Sequence, residues 1–219
     1  MQHLKTDSVH FMQVKKDDIE QSIRKEAKLI FLKKGYAQTS MREIASAANV
    51  GLSNIYNYYK SKDELFCLIV DPIVKEFSRV LKAYHTPDKI DTSDFWVPEI
   101  AEKTSTEYYA LLNKYRDLLQ LLLFKSAGSS YENFKEDFTD NVTNIMLQYM
   151  EQMKKKYPTL KWDFSPFFIH INTVQMFTLL EEIIMHNISQ EETKKIFFQY
   201  LYYHNYGWKE LIYATAKNE

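Results

Sequence analysis

Residues 39–66 read TSMREIASAANVGLSNIYNYYKSKDELF, and this stretch decides how the rest of the chain is read. Ser40 stands three residues before Glu43, and Ser61 three before Glu64. Each is a capping-box spacing, in which the hydroxyl accepts the backbone N–H three positions on. Met41, Ile44, Ala45 and Ala48 form the inward face of a short helix after the first box. Asn49 can take the left-handed turn conformation, and a further short helix follows from about Leu52. Two short helices of about seven residues joined by a tight turn, with a helix before them, are the layout of a helix-turn-helix. The helix before them is legible too. Asp17 with Glu20 predicts its start, Ile19, Ile23, Ala27, Ile30 and Phe31 share one face, and Gly35 offers the stop.

The second short helix has an outer face suited to nucleic acid. Ile55 and Tyr59 point inward, whereas Leu52, Ser53, Asn54, Asn57 and Tyr58 present small, amide or aromatic groups. Amides can bond adenine edges, hydroxyls can bond bases or phosphates, and an apolar side chain can pack on a thymine methyl. Tyr56, Lys60 and Lys62 flank them and can hold phosphates. Charge agrees: residues 1–65 carry 11 Lys plus Arg against 8 Asp plus Glu, a net of +3, and residues 66–219 carry 17 against 21, a net of −4. The whole-chain value of −1 averages these two parts. Lys5, Lys15, Lys16 and Arg24 precede the motif, so the segment before Asp17 is either an arm along a duplex or a solvated, flexible tail.

Outward from the motif the chain reads as helices only. Glycine and proline number 4 and 5 in 219 residues, too few turns for a β-rich fold, while 45 % apolar residues suffice for a core. Ser61 opens a long helix through Leu65, Leu68, Ile69, Ile73, Phe77, Val80 and Leu81, with Pro72 expected to kink it or delay its start. A loop follows at about 85–94. One or two helices then run from about Val97 to Lys125, another from Tyr131 to Lys156, and another from Ser165 and Pro166 to about Asn187. Ser189 with Glu192 starts the last, to about Ala214. The single cysteine, Cys67, excludes an intramolecular disulfide and a multi-cysteine metal cage. The N-terminus lacks the apolar core of a signal peptide, and 164–180 is too polar to span a bilayer, so a cytoplasmic protein is expected.

The sequence resembles the TetR family of bacterial repressors over about residues 18–66. The residues carrying the resemblance are Thr39-Ser40-Met41-Arg42-Glu43-Ile44-Ala45, Ala48-Asn49-Val50-Gly51, Ile55-Tyr56-Asn57-Tyr58-Tyr59 and Ser61-Lys62-Asp63-Glu64-Leu65. The resemblance implies phosphate contacts from Ser40, Tyr56 and Lys62. It implies base or groove contacts from Arg42, Leu52, Ser53, Asn54 and Asn57, with Tyr58 at the edge between base and backbone. Two positions depart from the pattern: Asn49 replaces the turn glycine, and Gly51 replaces the serine that caps the second short helix. Glycine is only a few tenths of a kcal/mol worse than serine as an N-cap, so the helix survives.

The remaining 150 or so residues exceed what a DNA-binding module needs. The helix from Ser165 to Asn187 is apolar nearly all round, which predicts a second buried face against another chain or a central core helix in a monomer. With the last helix it can form a four-helix interface across a two-fold axis, as the resemblance also implies, through Phe168, Ile171, Phe177, Ile184, Phe197 and Leu201. Such a dimer would offer recognition helices to major grooves about 34–36 Å apart, and so favour a palindromic operator on double-stranded DNA. Trp96, Tyr108, Tyr109, Tyr115, Phe124 and Phe138, with Gln175 as a polar anchor, suit a pocket for a small hydrophobic or amphipathic ligand, or plain core. The resemblance implies that the pocket binds an inducer.

Enzyme readings find no support. The six histidines form no His-Glu-x-x-His pair, and neither a nucleophile elbow, a phosphate loop nor a dinucleotide fingerprint is present. Glu182 and His186 share a helix face without a second such pair, which suits an ion pair better than a metal. No catalytic residue, metal or cofactor is expected. The fold is predicted as all-α: an N-terminal arm over 1–16, a three-helix helix-turn-helix DNA-binding domain over 17–64, and a larger helical ligand-binding and dimerisation domain over 65–219. The function expected is a homodimeric repressor released from its operator by a small molecule. The alternatives are a DNA-binding dimer without an effector, or a helical ligand carrier whose motif is vestigial.

Overall fold

The computed structural model describes residues 3–84 and 98–213, and these form eight helices with no strand among them. They are α1 (His3–Lys34), α2 (Met41–Ala47), α3 (Leu52–Ile55), α4 (Lys62–Tyr84), α5 (Pro98–Phe124), α6 (Phe134–Lys156), α7 (Pro166–Met185) and α8 (Gln190–Tyr213). The all-α expectation holds. No described helix is long and apolar enough to cross a membrane. The loop expected at 85–94 and Trp96 lie outside the described residues.

The helix starts inside the motif follow the local chemistry. Ser40 Oγ accepts the Glu43 N–H at 3.2 Å, Ser61 Oγ accepts that of Glu64 at 3.0 Å, and Ser189 Oγ accepts that of Glu192 at 3.2 Å. At Ser61 the carboxylate reaches back one residue further than the usual box, taking the Lys60 N–H at 2.6 Å. Asp17 behaves otherwise. α1 is continuous from His3, so Asp17 lies within it and the residues expected as an arm are helical from His3 onward. No glycine or proline interrupts the sequence before Gly35, and a cap pattern without a breaker ahead of it does not stop a helix. Pro72 likewise sits inside α4 without ending it. α5 does break its geometry, at Tyr115, where φ −114° and ψ 18° leave the helical range.

The described chain divides into two compact units. The first takes residues up to Ile73 together with Asp117–Asn133, and the second takes Val74–Arg116 and the residues from Phe134 on. The expected boundary at 64/65 therefore cuts through the first unit's core, because Leu65, Phe66, Ile69, Val70 and Ile73 are all buried in it. In the second unit α6 packs on α7, and Phe77, Phe134, Phe138 and Phe177 bring their ring centroids within 5.3–6.4 Å of one another. A second cluster gathers Tyr149, Met150, Met153, Trp162, Ile169 and Ile212.

Candidate nucleic-acid interface

The first unit holds α2 and α3 against a core that fixes their outward faces. Ile23, Ala27 and Phe31 of α1 are fully buried, and so are Ile44 of α2 and Ile55 at the end of α3. Phe31, Tyr36 and Phe66 form an aromatic triad with centroids 5.1–6.0 Å apart. Gly35 ends α1 at φ +81°, a backbone conformation that side chains rarely adopt, and Thr39 Oγ1 then donates to the Gly35 carbonyl at 2.7 Å. Asn49 takes φ 55° between α2 and α3, the left-handed turn expected of it. Gly51 precedes α3 with no side-chain cap bond.

Tyr59 is buried, and its hydroxyl accepts from Arg24 Nε at 2.8 Å while Arg24 also pairs with Glu20 at 2.5 Å. Burial pushes the Tyr59 phenol up, offset in part by the guanidinium. Arg24 thus ties α1 to the end of the motif. In sequence it read only as one more cation ahead of the motif. Lys34 pairs with Glu43 at 2.8 Å and joins α1 to α2 in the same way.

The residues expected to meet DNA divide by exposure. Ser40, Arg42, Leu52, Ser53, Asn54, Tyr56 and Asn57 are exposed, and Tyr58 is half-buried. Asn57 Nδ2 donates to Asn54 Oδ1 at 3.1 Å, joining the two amides on the outer face of α3. Ser40 Oγ is engaged as a cap acceptor, which leaves its own proton for an anion. Lys62 differs from the expectation. Its Nζ donates to the carbonyls of Tyr36 at 2.7 Å and Thr39 at 2.8 Å, and lies 4.0 Å from the Tyr36 ring centroid. Burial lowers its pKa, with Asp63 opposing. Two of its three donors therefore hold the turn between α1 and α2 instead of pointing outward.

A polar seam that sequence reading missed runs along the inner side of α4. Asp63 accepts the Ser130 N–H at 2.8 Å and the Ser130 hydroxyl, and Tyr131 Oη donates to Asp71 at 3.1 Å. Burial pushes the Asp63 carboxyl up, but the bonds from Ser130, Cys67 and Tyr36 outweigh it and hold the group below its ordinary value. Cys67 lies between the two aspartates, half-buried, its thiol pushed up to about 11 by burial and by their charge. It is an inert thiol at neutral pH. The Tyr36 N–H donates to the Lys125 carbonyl at 2.8 Å, so residues 117–133 belong with the head. The bonds to Ser130, Tyr131 and Lys125 join residues sixty or more positions apart, and no local pattern announces them.

In the second unit the expected pocket residues meet different neighbours. Tyr108 stacks on Phe197 at 6.1 Å, Tyr109 lies under Lys194 at 4.7 Å, Tyr115 sits at the break in α5, and Phe138 belongs to the phenylalanine cluster. Gln175 is exposed on α7, and Phe124 falls in the first unit. The dimer set needs correction. Phe177, Phe197 and Leu201 are 2 %, 0 % and 7 % exposed within their own chain, so they are core and cannot face another. Phe168 and Ile171 are exposed and Ile184 is half-buried. The apolar side chains turned outward include Phe167, Phe168, Ile171 and Met185 on α7 and Phe198, Tyr202, Tyr203, Tyr206 and Leu211 on α8. Both helices are apolar on more than one face, so spacing alone did not say which face was inside. Glu182 and His186 form an exposed pair at 3.0 Å, and among the described residues no three His, Cys, Asp or Glu side chains gather as metal ligands.

Residues 23–67 match the family described as bacterial regulatory proteins, tetR family. Solved structures agree in fold across most of the chain. A transcriptional regulator of the TerR/AcrR family from Aquifex aeolicus VF5 is 19 % identical with a TM-score of 0.54, covering 84 % of this chain and 97 % of its own. A TetR-like transcriptional regulator from Rhodococcus sp. RHA1 is 17 % identical with a TM-score of 0.57, covering 86 % and 96 %. NalD, the secondary repressor of the MexAB-OprM multidrug efflux pump in Pseudomonas aeruginosa, is 16 % identical with a TM-score of 0.52, covering 85 % and 96 %. No curated protein matches the chain in sequence. The family and these structures are transcriptional regulators, not enzymes, in agreement with the sequence reading.

Proposed function

We propose that this chain, whose head is that of the tetR family of bacterial regulatory proteins, is a homodimeric transcriptional repressor that binds a palindromic operator and is released from it by a small hydrophobic or amphipathic molecule. The observation that carries the DNA-binding part is the outer face of α2 and α3. Ser40, Arg42, Leu52, Ser53, Asn54, Tyr56 and Asn57 are all exposed on elements whose opposite faces are buried. Such a face is held still before it meets its target, so little ordering cost opposes binding. Tyr56 and Ser40 offer hydroxyls to phosphates, and the α3 side chains offer polar and apolar groups to base edges. Repression needs nothing further than occupancy, since a dimer seated on an operator excludes other proteins from it.

The outward aromatic side chains of α7 and α8 support the dimer, and two recognition helices related by a two-fold axis favour a palindrome. Release by a ligand requires that the ligand bind the two states of the repressor with different affinity. The second unit, with Tyr108, Tyr109, Tyr115 and Phe138, is where the proposal seats it. A second reading, a DNA-binding dimer without an effector, is favoured by the way Phe138 and Tyr108 pack on other rings of their own chain. Selection of duplexes from a random pool by the full chain, repeated with metabolite extract, tests both. A recovered palindrome whose binding the extract abolishes supports the first reading. A palindrome that no extract releases supports the second, and the absence of salt-dependent duplex binding overturns both.

A further inference from the structure

An exposed amide pair joins α3 to the turn that follows it. Asn57 Nδ2 donates to Asn54 Oδ1 at 3.1 Å, and both side chains are exposed. That bond uses one of the two Asn57 amide protons and one of the two Asn54 carbonyl lone pairs. Asn54 Nδ2 keeps both its protons and Asn57 Oδ1 both its lone pairs, on a face backed by the buried Ile55 and Tyr59. In the major groove only adenine presents an acceptor, N7, beside a donor, the N6 amine, on one base. Guanine presents two acceptors, cytosine a donor, and thymine an acceptor with a methyl group.

We infer that Asn54 and Asn57 act as one unit that reads a single adenine in each operator half-site, Asn54 Nδ2 donating to N7 and Asn57 Oδ1 accepting from the N6 amine. The inference rests on the DNA-binding reading above and names what that face recognises. Guanine is disfavoured because its O6 would bring a lone pair against the Asn57 oxygen in this docking. No Arg, Lys, Asp or Glu stands among the outward residues of α3 and the turn after it, Leu52, Ser53, Asn54, Tyr56 and Asn57. The cationic fork that selects guanine is therefore missing from this helix. The exposed Leu52 adds an apolar contact suited to a thymine methyl, so α3 reads A·T pairs.

The test uses the full chain and its Asn54→Ala and Asn57→Ala variants in duplex selection from a random pool. The wild type is expected to enrich one adenine per half-site, and both variants to lose that preference at the same base pair, by roughly 5- to 150-fold in relative affinity. Both should keep the wild-type salt slope, because neither contacts phosphate in this docking. Base analogues assign the atoms. Replacing that adenine by 7-deazaadenine weakens the wild type but not Asn54→Ala, and replacing it by purine, which lacks the N6 amine, weakens the wild type but not Asn57→Ala. The inference is overturned if guanine is enriched there, if the variants relax different base pairs, or if the analogues weaken all three proteins alike. If the wild type shows no salt-dependent duplex binding, the DNA-binding reading fails and takes this one with it. A recovered operator without the shared adenine leaves that reading standing and removes this one alone.

Discussion

Lys62 shows how a side chain with an evident outward role can be spent inside. Its ammonium lies over the Tyr36 ring and bridges the Tyr36 and Thr39 carbonyls, which have left α1 and not yet entered α2. Removing the ammonium takes a charged donor from both carbonyls, and only that of Tyr36 keeps a second donor, the Thr39 N–H at 3.1 Å. Lys62→Met, which keeps the apolar stem, is expected to lower the unfolding free energy by about 1–3 kcal/mol, read from the midpoint of urea denaturation. A change too small to measure would show that water replaces the ammonium without loss. His204 supplies the residue-scale pH dependence. It is half-buried, accepts the Trp208 Nε1–H at 3.0 Å, and desolvation lowers its pKa, so the folded chain favours the neutral ring. The unfolded chain takes up its proton near pH 6.5, before the folded one does, and stability falls as pH drops through that value. Across pH 7.5 to 5.5 the wild type should lose stability relative to His204→Gln, which can still accept from Trp208 and does not titrate. Parallel pH profiles for the two proteins would refute this. Neither role could be read in sequence, since the Lys62 and Tyr36 partnership spans 26 residues and the burial of His204 depends on the packing around α8.

At the scale of single helices the sequence was most legible where a start depends on residues three apart. The boxes at Ser40, Ser61 and Ser189 all form, and Asn49 takes its left-handed turn, because these are contests settled within one turn of chain. Asp17 with Glu20 has the same spacing and starts nothing, because the residues before it continue the helix. Interior and exterior on α7 and α8 were not legible. Phe177 and Phe167 are both phenylalanines on one apolar helix, 2 % and 69 % exposed, and only the packing of α6 on α7 separates them. Gly51 is the element-scale departure with a measurable consequence. Its φ of −61° and ψ of 141° suit any residue, and a Cβ there would meet nothing within 4 Å. Gly51→Ser should therefore stabilise the first unit by a few tenths to about 1 kcal/mol, from a hydroxyl cap on the Ser53 N–H and a less flexible unfolded chain. Thermal unfolding of the two proteins at equal pH measures it, and a lower midpoint for the serine variant would contradict the cap geometry.

For the molecule as a whole, the outward aromatic side chains support the proposed dimer more than the charge distribution does. Scattered exposed apolar side chains are ordinary. Here Phe167, Phe168 and Ile171 on α7 and Phe198, Tyr202, Tyr203 and Tyr206 on α8 are exposed within one unit, and Phe168 meets Trp208 at 5.4 Å, bringing the start of α7 to the end of α8. On the proposed dimer these side chains are the buried centre of the interface, where a carboxylate would be desolvated without a partner. Phe167→Glu combined with Tyr203→Glu should weaken dimerisation by at least about 100-fold, seen by sedimentation as monomer at micromolar concentration. Both residues are 69 % or more exposed in the single chain, so the fold should survive the change, and an unaltered circular dichroism spectrum checks this. The same variant should lose most of its affinity for a full palindrome yet bind an isolated half-site as the wild-type protomer does, because a dimer gains its second contact at the effective concentration set by the first. A variant that stays dimeric would mean that another face joins the protomers. A wild type that sediments as monomer throughout would remove the palindrome while leaving the face of α3, and its reading of one half-site, as it stands.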